Sequence, residues 1–236
     1  MKISIVFITN GKRVDTLSKC IDSALSLTSD VIVVGNTDSI KHPVIKINET
    51  ELANGGMISK MRNIGANKAS GDIIINADDD IYFPPMFKKK LLKYVKNNPN
   101  FGSFTTKVIG INGSRYWDRP IHIDGNSFMI DYNQTHPDLY YSGAFIVRQK
   151  EFTKKYQWDN SLKYYEKEDV EYSNKIKLSG NSINIDANNY VVHLDDRYIS
   201  YKNGDGYLVC DKMESACIEG IQEKEFREIK ALLRKL

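Results

Sequence analysis

Three consecutive carboxylates follow a short apolar run in the stretch Ile73-Ile74-Ile75-Asn76-Ala77-Asp78-Asp79-Asp80. An uninterrupted run of β-branched residues is typical of a strand that is covered on both faces, as the strands of a parallel sheet are. In open α/β sheets, ligands bind beyond the carboxyl ends of the strands, and the acidic triplet lies at such an end. The stretch therefore predicts a buried strand that ends in a polar binding site.

Apolar runs and amphipathic segments alternate through the first part of the chain. The strand-like runs are 3–8, 31–34, 44–47 and 73–75, and the segments with helical apolar spacing are 17–25, 57–64 and 87–95. Strands that alternate with helices at this spacing predict an α/β protein with a mostly parallel central sheet and right-handed crossovers.

The second half of the chain has a different pattern, in which strand-like runs are separated by polar and aromatic loops. The runs are 104–111, 128–132, 143–147, 182–185 and 190–193, and a helix is predicted from Glu168-Asp169 to Gly180. No Pro/Gly/Ser-rich linker divides the chain. We therefore expect a single Rossmann-like domain over residues 1–212, with halves 1–100 and 101–212, a small antiparallel part in the second half, and a charged helical tail over 213–236.

Composition excludes several classes of protein. The 236 residues carry 33 Lys+Arg against 30 Asp+Glu, and this net charge of +3 is too small for the electrostatic footprint of a nucleic-acid binder. The three cysteines are too few and too scattered for a zinc framework or a disulfide scaffold, which favours a reducing cytoplasm. The sequence also lacks a signal-peptide pattern and any apolar stretch near the roughly 20 residues of a membrane span.

The triplet itself poses an electrostatic problem. If the chain stays extended after the strand, Asp78 and Asp80 point to one face and Asp79 to the other. Two carboxylates about 4 Å apart repel each other by about 4 kcal/mol at an effective dielectric constant near 20, so a nearby cation or a bound proton must offset the repulsion. Carboxylate oxygens suit magnesium or manganese, which complete their shells with phosphate and water. A solvated turn is the alternative.

Other segments stand in a characteristic order around the triplet. They are 3–10, 60–66 with 69–72, 75–80, 168–180 and 191–193. Together they resemble the nucleotide-sugar glycosyltransferases of GT-A fold, specifically the large family 2. The matching features are an opening strand with a polar turn, an Arg-Asn-x-Gly helix followed by Gly-Asp, the Asp-x-Asp strand end, a Glu-Asp helix, and a late strand that ends in a histidine. The resemblance spans residues 3–195 and leaves the tail outside.

The resemblance implies a metal site for Mn²⁺ or Mg²⁺. Asp80 would be the chief ligand, Asp78 would bind the metal or a ribose, and His193 would complete the site as a neutral imidazole. The ion would bridge the donor's two phosphates and stabilise the charge that develops on the leaving diphosphate.

The resemblance also implies a nucleotide-sugar site. Thr9 and Asn10 would contact the base or ribose, Arg62 would contact the nucleotide through its guanidinium fork, and Asp79 would belong to the same set. The family usually has an acidic pair after the second strand, where this chain has only Asp38 nearby. Asp38 is the expected substitute. A UDP-sugar is the favoured donor because such donors are common in the family.

The Glu-Asp pair at the predicted helix start would supply catalysis. By resemblance, Asp169 is the base that takes the proton of an acceptor hydroxyl, with inversion at the anomeric carbon, and Glu168 orients it. Acidic residues are also favoured at helix starts by the macrodipole alone. Trp158, Tyr164 and Tyr165 precede this helix and are either an acceptor platform for sugar rings or buried anchors.

Three other functions remain to be compared with a glycosyltransferase. A nucleotidyltransferase would need a glycine-rich basic loop after the first strand, and the segment 9–13 has a single glycine. A haloacid-dehalogenase-type phosphatase would need its Asp-x-Asp after the first strand, where this chain has none. A non-catalytic module that binds sugar nucleotides or carbohydrate would keep the fold without transfer activity.

The tail combines basic and apolar side chains at helical spacing. They are Lys224, Phe226, Arg227, Ile229, Lys230, Leu232, Leu233, Arg234 and Lys235. Such a helix can lie on an anionic membrane, which would suit a lipid-linked acceptor and polysaccharide biosynthesis at the inner face of the membrane. Packing on the domain or on a second copy of the chain, as a homodimer, are the alternatives.

Overall fold

A computed structural model of the protein describes residues 1–111, 115–124, 126–194, 227 and 231–236. Its strands are β1 (Ile3–Thr9), β2 (Val31–Gly35), β3 (Ile45–Asn48), β4 (Ile73–Asp78), β5 (Ile81–Tyr82), β6 (Ser103–Gly110), β7 (Pro120–Ile123), β8 (Asn126–Met129), β9 (Phe145–Gln149) and β10 (Ile185–His193). Its helices are α1 (Val14–Leu25), α2 (Thr50–Asn54), α3 (Ile58–Lys68), α4 (Phe87–Asn97), α5 (Lys150–Lys155) and α6 (Glu168–Leu178).

Eight strands form one sheet in the order β3-β2-β1-β4-β9-β6-β10-β5. The four strands β1 to β4 are parallel to one another, and β6 is parallel to β10. Strand β9 runs antiparallel between β4 and β6, and the short β5 pairs antiparallel with β10. Strands β7 and β8 form a separate antiparallel hairpin. The expected mostly parallel sheet with a small antiparallel part in the second half is confirmed.

Helices cover both faces of the sheet, which explains why the strands of the first half are uninterrupted apolar runs. All seven residues of β1 and all five of β2 are buried. One face packs against α1 and α4 through side chains such as Leu17 and Leu91, and the other packs against α3 through Met61 and Ala66. The polar ends of β1, β2 and β4 are thereby brought to one edge.

Helix α3 approaches the sheet unusually closely at Gly65. A Cβ atom added there would lie 2.2 Å from Cγ1 of Val6 and 3.1 Å from Cγ2 of Val34. Only glycine therefore lets α3 lie at its observed distance from β1 and β2.

Some predicted boundaries differ from the structure. Residues 182–184 are not in a strand, and the runs 182–185 and 190–193 are replaced by the single strand β10, whose register with β6 shifts between Asp186 and Tyr190. The run 128–132 becomes β8, because the register of the β7–β8 hairpin pairs Asn126 with Ile123. The short helices α2 and α5 were not predicted, since segments of five and six residues carry little periodicity.

The tail lies mostly outside the described residues, as does the predicted boundary between 212 and 213. At its described end, Leu232, Leu233 and Leu236 pack against a cluster that contains Tyr190 and Val192 of β10. These three leucines therefore pack on the domain, which was one of the alternatives for the tail. Within the described ranges, no helix combines the length and apolarity needed to cross a membrane.

The close approach at Gly65 gives a stability prediction. We expect Gly65→Ala to lower the free energy of unfolding by about 1–3 kcal/mol, because the added methyl group clashes with Val6 and this exceeds the gain in helix propensity. Urea unfolding followed by circular dichroism measures the change. Asn67→Ala, at an exposed position of the same helix, is the control and should be neutral or slightly stabilising. Equal stability of Gly65→Ala and wild type would contradict the packing argument.

Candidate active site

The acidic triplet lies at a turn between two strands. Strand β4 ends at Asp78, Asp79 and Asp80 form the turn, and β5 begins directly afterwards. The prediction that Asp78 and Asp80 share one face is therefore wrong, because the backbone does not stay extended. Instead, Asp79 and Asp80 face Arg13, and Asp78 faces Arg62.

Arg13 supplies the cation that the charge of the triplet requires. Its Nη2 lies 2.5 Å from Oδ1 of Asp79, and its Nη1 lies 2.5 Å from Oδ2 of Asp80. The hydroxyl of Thr9 donates a hydrogen bond of 2.6 Å to the other oxygen of Asp79. Burial raises the pKa of Asp79 to about 6, although Arg13 and Thr9 act in the opposite direction. The sequence predicted that a cation or a bound proton offsets the charge of the triplet, but no signal in it pointed to Arg13.

His193 lies beside Asp80 because β5 and β10 pair. Ile81 and His193 are partners in that ladder, and the backbone N–H of Leu194 donates to the carbonyl of Asp80. His193 Nε2 lies 3.2 Å from Asp80 Oδ2, and the ring of Tyr116 stacks on the imidazole with centroids 3.9 Å apart. Both Asp80 and His193 are buried.

This pair has the chemistry and the spacing of two metal ligands. Bonds of about 2.1 Å at right angles place neighbouring ligands of one ion about 3 Å apart. Asp80 Oδ2 and His193 Nε2 have this separation, and the same Asp80 oxygen also contacts Arg13, so the two side chains are the ones that would hold a divalent ion here. Asp78 is not part of the pair, and the described residues contain no group of three acidic, histidine or cysteine side chains that could hold a metal.

Arg62 is a buried link between the two halves of the chain. Its Nη2 lies 3.2 Å from Asp78 Oδ1 and donates a 2.9 Å hydrogen bond to the carbonyl of Gly143. Its Nη1 lies 3.2 Å from Glu168 Oε1, and its guanidinium lies over the ring of Trp158 at 4.6 Å. Burial alone would lower the pKa of Arg62, but Asp78 and Glu168 raise it above the usual value, so the group stays charged.

The position of Arg62 differs from a simple nucleotide contact. Its side chain is 3% exposed, and its terminal nitrogens bind protein oxygens. Breaking a buried ion pair by removing one partner costs about 3–5 kcal/mol, so these contacts hold Arg62 firmly in place. Arg62 also lines a cavity at the ends of β1 and β4.

The other residues of the Arg-Asn-x-Gly segment also make structural contacts. The side chain of Asn63 donates to the carbonyl of Trp158 and accepts from the N–H of Trp158, with distances of 2.8 and 3.1 Å. A Cβ atom at Gly143 would lie 2.8 Å from Arg62 Nη2, so a side chain at position 143 would displace the guanidinium from its observed place. The helix that packs on the sheet through Gly65 thus also holds the second half of the chain through Arg62 and Asn63.

Asp169 lies at the start of α6, on the other side of Arg62. Its Oδ2 accepts from the N–H of Gly143 at 3.4 Å, and its Oδ1 accepts from the N–H of Val170 at 2.9 Å. Burial and the neighbouring Glu168 raise the pKa of Asp169 to about 6, against the lowering effect of Arg62. Glu168 is buried and bound to Arg62.

A cavity of about 350 Å³ lies at the ends of β1 and β4, within the range of small-molecule sites. Its walls are formed by Ile8, Thr9, Asn10, Lys12, Arg13, Ala53, Gly56, Ile58, Met61, Arg62, Asp78, Asp79 and Tyr164. Five predicted nucleotide-sugar residues are among them. Asp38 is not: it is exposed, and its carboxylate accepts from Asn48 Nδ2 at 2.7 Å.

The aromatic residues before α6 have different roles. Trp158 is buried and stacks on Tyr172 with centroids 4.1 Å apart, so it is an anchor. Tyr164 lines the mouth of the cavity, and its N–H donates to the carbonyl of Gly56. Tyr165 is 81% exposed and has a positive φ of 69°. Of the three, only Tyr164 and Tyr165 are open to a ligand.

The chain is similar to known proteins in sequence and in fold. Residues 4–157 match the family described as Glycosyl transferase family 2, and no curated protein shows significant sequence similarity to the chain. The fold is similar to that of GalNAc-T7 crystallised with UDP, GalNAc and Mn²⁺, with a TM-score of 0.66, 15% identity, and coverage of 83% of this chain and 44% of that one.

A second similar structure is residues 1–349 of S. aureus TarS in complex with UDP. The TM-score is 0.57 at 16% identity, over 83% of this chain and 61% of that one. The protein thus spans less than two thirds of either structure. At such low identity these likenesses show the shared fold, which is the GT-A fold expected from the sequence. Because the family match covers most of the chain and the fold agrees with it, the protein belongs to glycosyl transferase family 2.

Proposed function

We propose that the protein transfers a sugar from a nucleotide-diphosphate donor to a hydroxyl group of a glycan or a lipid-linked glycan. The observation that carries the proposal is that Arg62, which lines a cavity together with Thr9, Asn10 and Asp79, binds Glu168, the residue directly before Asp169. A carboxylate whose pKa is raised by burial, as that of Asp169 is, is the kind of group that acts as a general base. UDP is the favoured nucleotide, in keeping with the UDP bound in both similar structures.

The donor would occupy the cavity with its nucleoside against the end of β1. Thr9 and Asn10 offer polar groups to the base or ribose, and Ile58 and Met61 form an apolar part of the cavity wall. Lys12 lines the same cavity and is exposed, so its ammonium can reach the phosphates. Arg62 would act mainly by holding Asp78 and Glu168 in place.

Asp80 and His193 are the residues that would hold a divalent ion, Mn²⁺ or Mg²⁺, with Arg13 as the neighbouring cation. When bound, such an ion supplies positive charge that stabilises the leaving diphosphate. The Mn²⁺ in the GalNAc-T7 structure supports the use of a divalent ion.

In the proposed reaction, Asp169 accepts the proton of the acceptor hydroxyl while the hydroxyl oxygen attacks the anomeric carbon of the donor. A bond forms between that oxygen and the anomeric carbon, the bond from this carbon to phosphate breaks, and the nucleoside diphosphate leaves. Attack from the side opposite the diphosphate inverts the anomeric centre. Glu168 cannot replace Asp169 as the base without giving up its contact with Arg62.

The role of Asp169 predicts a separation between binding and transfer. We expect Asp169→Asn to lower the transfer rate by about 10²–10⁴-fold, because the asparagine amide cannot accept the proton of the acceptor hydroxyl. Binding of UDP, measured by calorimetry, should stay unchanged. Asp15→Asn, at an exposed position of α1, is the control. Normal turnover by Asp169→Asn would refute the assignment of the base, and absence of turnover in wild type with many acceptors would favour a non-catalytic module.

The pKa of Asp169 predicts the pH dependence of transfer. Because the base must be deprotonated, kcat should rise with pH and level off above about 6, the pKa of this carboxyl group. Below that value kcat should fall by about tenfold per pH unit, as for loss of a single proton acceptor. Thermal unfolding over the same range separates this effect from loss of structure. A rate that does not change between about pH 5 and 7 would contradict the proposal.

The metal assignment predicts a ligand-dependent stabilisation. UDP with Mn²⁺ should raise the melting temperature more than UDP alone, since ligand at 100 times its Kd adds about 2.7 kcal/mol of stability. We expect His193→Gln and Asp80→Asn to lose the metal-dependent part of the shift and keep the shift caused by UDP alone. His42→Gln, which removes a surface contact with Asp22, is the control. An undiminished metal effect in both site variants would exclude this pair as ligands.

A further inference from the structure

Four polar side chains form a row between the β7–β8 hairpin and the start of α6. We call His122, Ser127, Tyr140 and Lys167 the rim cluster. Lys167 Nζ lies 3.1 Å from His122 Nε2, His122 Nδ1 lies 3.1 Å from Ser127 Oγ, and Tyr140 Oη lies 3.1 Å from the same Ser127 oxygen. None of these residues has a role in the proposed mechanism.

The hydrogens of the rim cluster can be assigned from its chemistry. An ammonium group can only donate, so His122 Nε2 accepts from Lys167 and the imidazole is neutral in this contact. His122 Nδ1 then carries the hydrogen and donates to Ser127 Oγ, which also accepts from Tyr140. The hydroxyl hydrogen of Ser127 and the other ammonium hydrogens of Lys167 remain available for a ligand.

Lys167 has an unusual backbone conformation. It precedes α6 with φ 60° and ψ 37°, a left-handed conformation that is uncommon for residues other than glycine. Such conformations cluster at functional sites. The side chain is exposed, and within the described ranges no carboxylate lies within salt-bridge distance of its ammonium.

The rim cluster lies next to the proposed base. Lys167 is two residues from Asp169, so their Cα atoms are at most about 7.6 Å apart. Burial raises the pKa of Tyr140 to about 12, and the negative charges of Asp169 and Glu168 contribute to this increase. The same segment continues to Gly143, whose N–H donates to Asp169. The cluster therefore lies close to Asp169.

We propose that the rim cluster is an acceptor subsite that binds an anionic group, a phosphate or a carboxylate, close to the hydroxyl that is glycosylated. The proposal rests on the proposed function and names the class of its acceptor: a sugar or polyol with a negative charge within about one sugar unit of the reacting hydroxyl. Lys167 binds the anion, Ser127 donates to a neighbouring oxygen, and His122 and Tyr140 hold these two groups in place.

Electrostatics explains why a cation is needed at this position. The charge of Asp169 repels an anionic acceptor that approaches it unless a positive group offsets this repulsion. Arg62 cannot do so, because it is buried and bound to Asp78 and Glu168. Lys167 is the cation next to the base whose ammonium is exposed, and hydrogen bonds from charged donors are the stronger kind.

The test measures binding to the full chain saturated with UDP, so that phosphate-bearing probes cannot bind in the donor cavity. The probes are glucose 6-phosphate, glucuronate and glucose, and the readouts are calorimetry and the NMR signals of His122, one of only four histidines. We expect both anionic probes to bind wild type about tenfold or more tightly than glucose does, as a charge-assisted contact implies. They should also shift the His122 signals.

Variants of Lys167 test whether its positive charge causes the preference for the anionic probes over glucose. Lys167→Gln should remove it, Lys167→Arg should keep most of it, and Lys163→Gln, at an exposed lysine of the same loop, should leave it unchanged. Equal binding of glucose and the anionic probes in wild type, or an undiminished preference in Lys167→Gln, would overturn the proposal. Failure to bind UDP would instead refute the proposed function, so the two failures are distinct.

A further arm separates a soluble acceptor from a lipid phosphate. Vesicles of phosphatidic acid and of phosphatidylcholine are compared for their ability to shift the His122 signals. A shift with phosphatidic acid, lost in Lys167→Gln, assigns the anion to a lipid-linked acceptor. A shift with glucose 6-phosphate alone, lost in the same variant, assigns it to a soluble one. Shifts that persist in Lys167→Gln overturn the subsite in either form.

Discussion

The candidate site depends on the buried guanidinium of Arg62. Taking a charge out of water is costly, and Arg62 is tolerated only because Asp78, Glu168 and the carbonyl of Gly143 surround it. Asp78 ends a strand of the first half, and Glu168 begins a helix of the second. The same contacts that neutralise the charge therefore join the wall of the cavity to the helix that carries Asp169, the proposed base. Gly143 is essential to this arrangement because its lack of a side chain leaves room for the guanidinium.

The charges of the site divide into those that hold the protein together and those that are open to substrates. Arg13 binds Asp79 and Asp80, and Arg62 binds Asp78 and Glu168. Among the described residues, Asp169 has no salt bridge, and Lys12 and Lys167 have no acidic partner. A desolvated carboxylate without an ion-pair partner is what the proposed general base requires.

Much of the fold could be predicted from the sequence because the relevant signals are local. The apolar runs of β1, β2 and β4 and the acidic start of α6 are contiguous in the chain, and the order of the motifs indicated the GT-A fold that the comparisons confirm. The turn at Asp79-Asp80 was only one of two alternatives, because an extended chain and a turn fit the same residues equally well. Strand β10 was divided in two because the register shift after Asp186 interrupts its apolar pattern.

By itself, the sequence determined which residue types stand at the ends of strands and at the start of α6, because burial and helix capping act on neighbouring residues. Only the tertiary structure decided which of these charges meet. Arg13 lies 67 positions from Asp80, and Arg62 lies 106 positions from Glu168. These contacts depend on how β5 pairs with β10 and how closely α3 packs on the sheet. Long-range pairing of this kind leaves no periodic trace in a single sequence, so the partners of each charge emerge only in the folded chain.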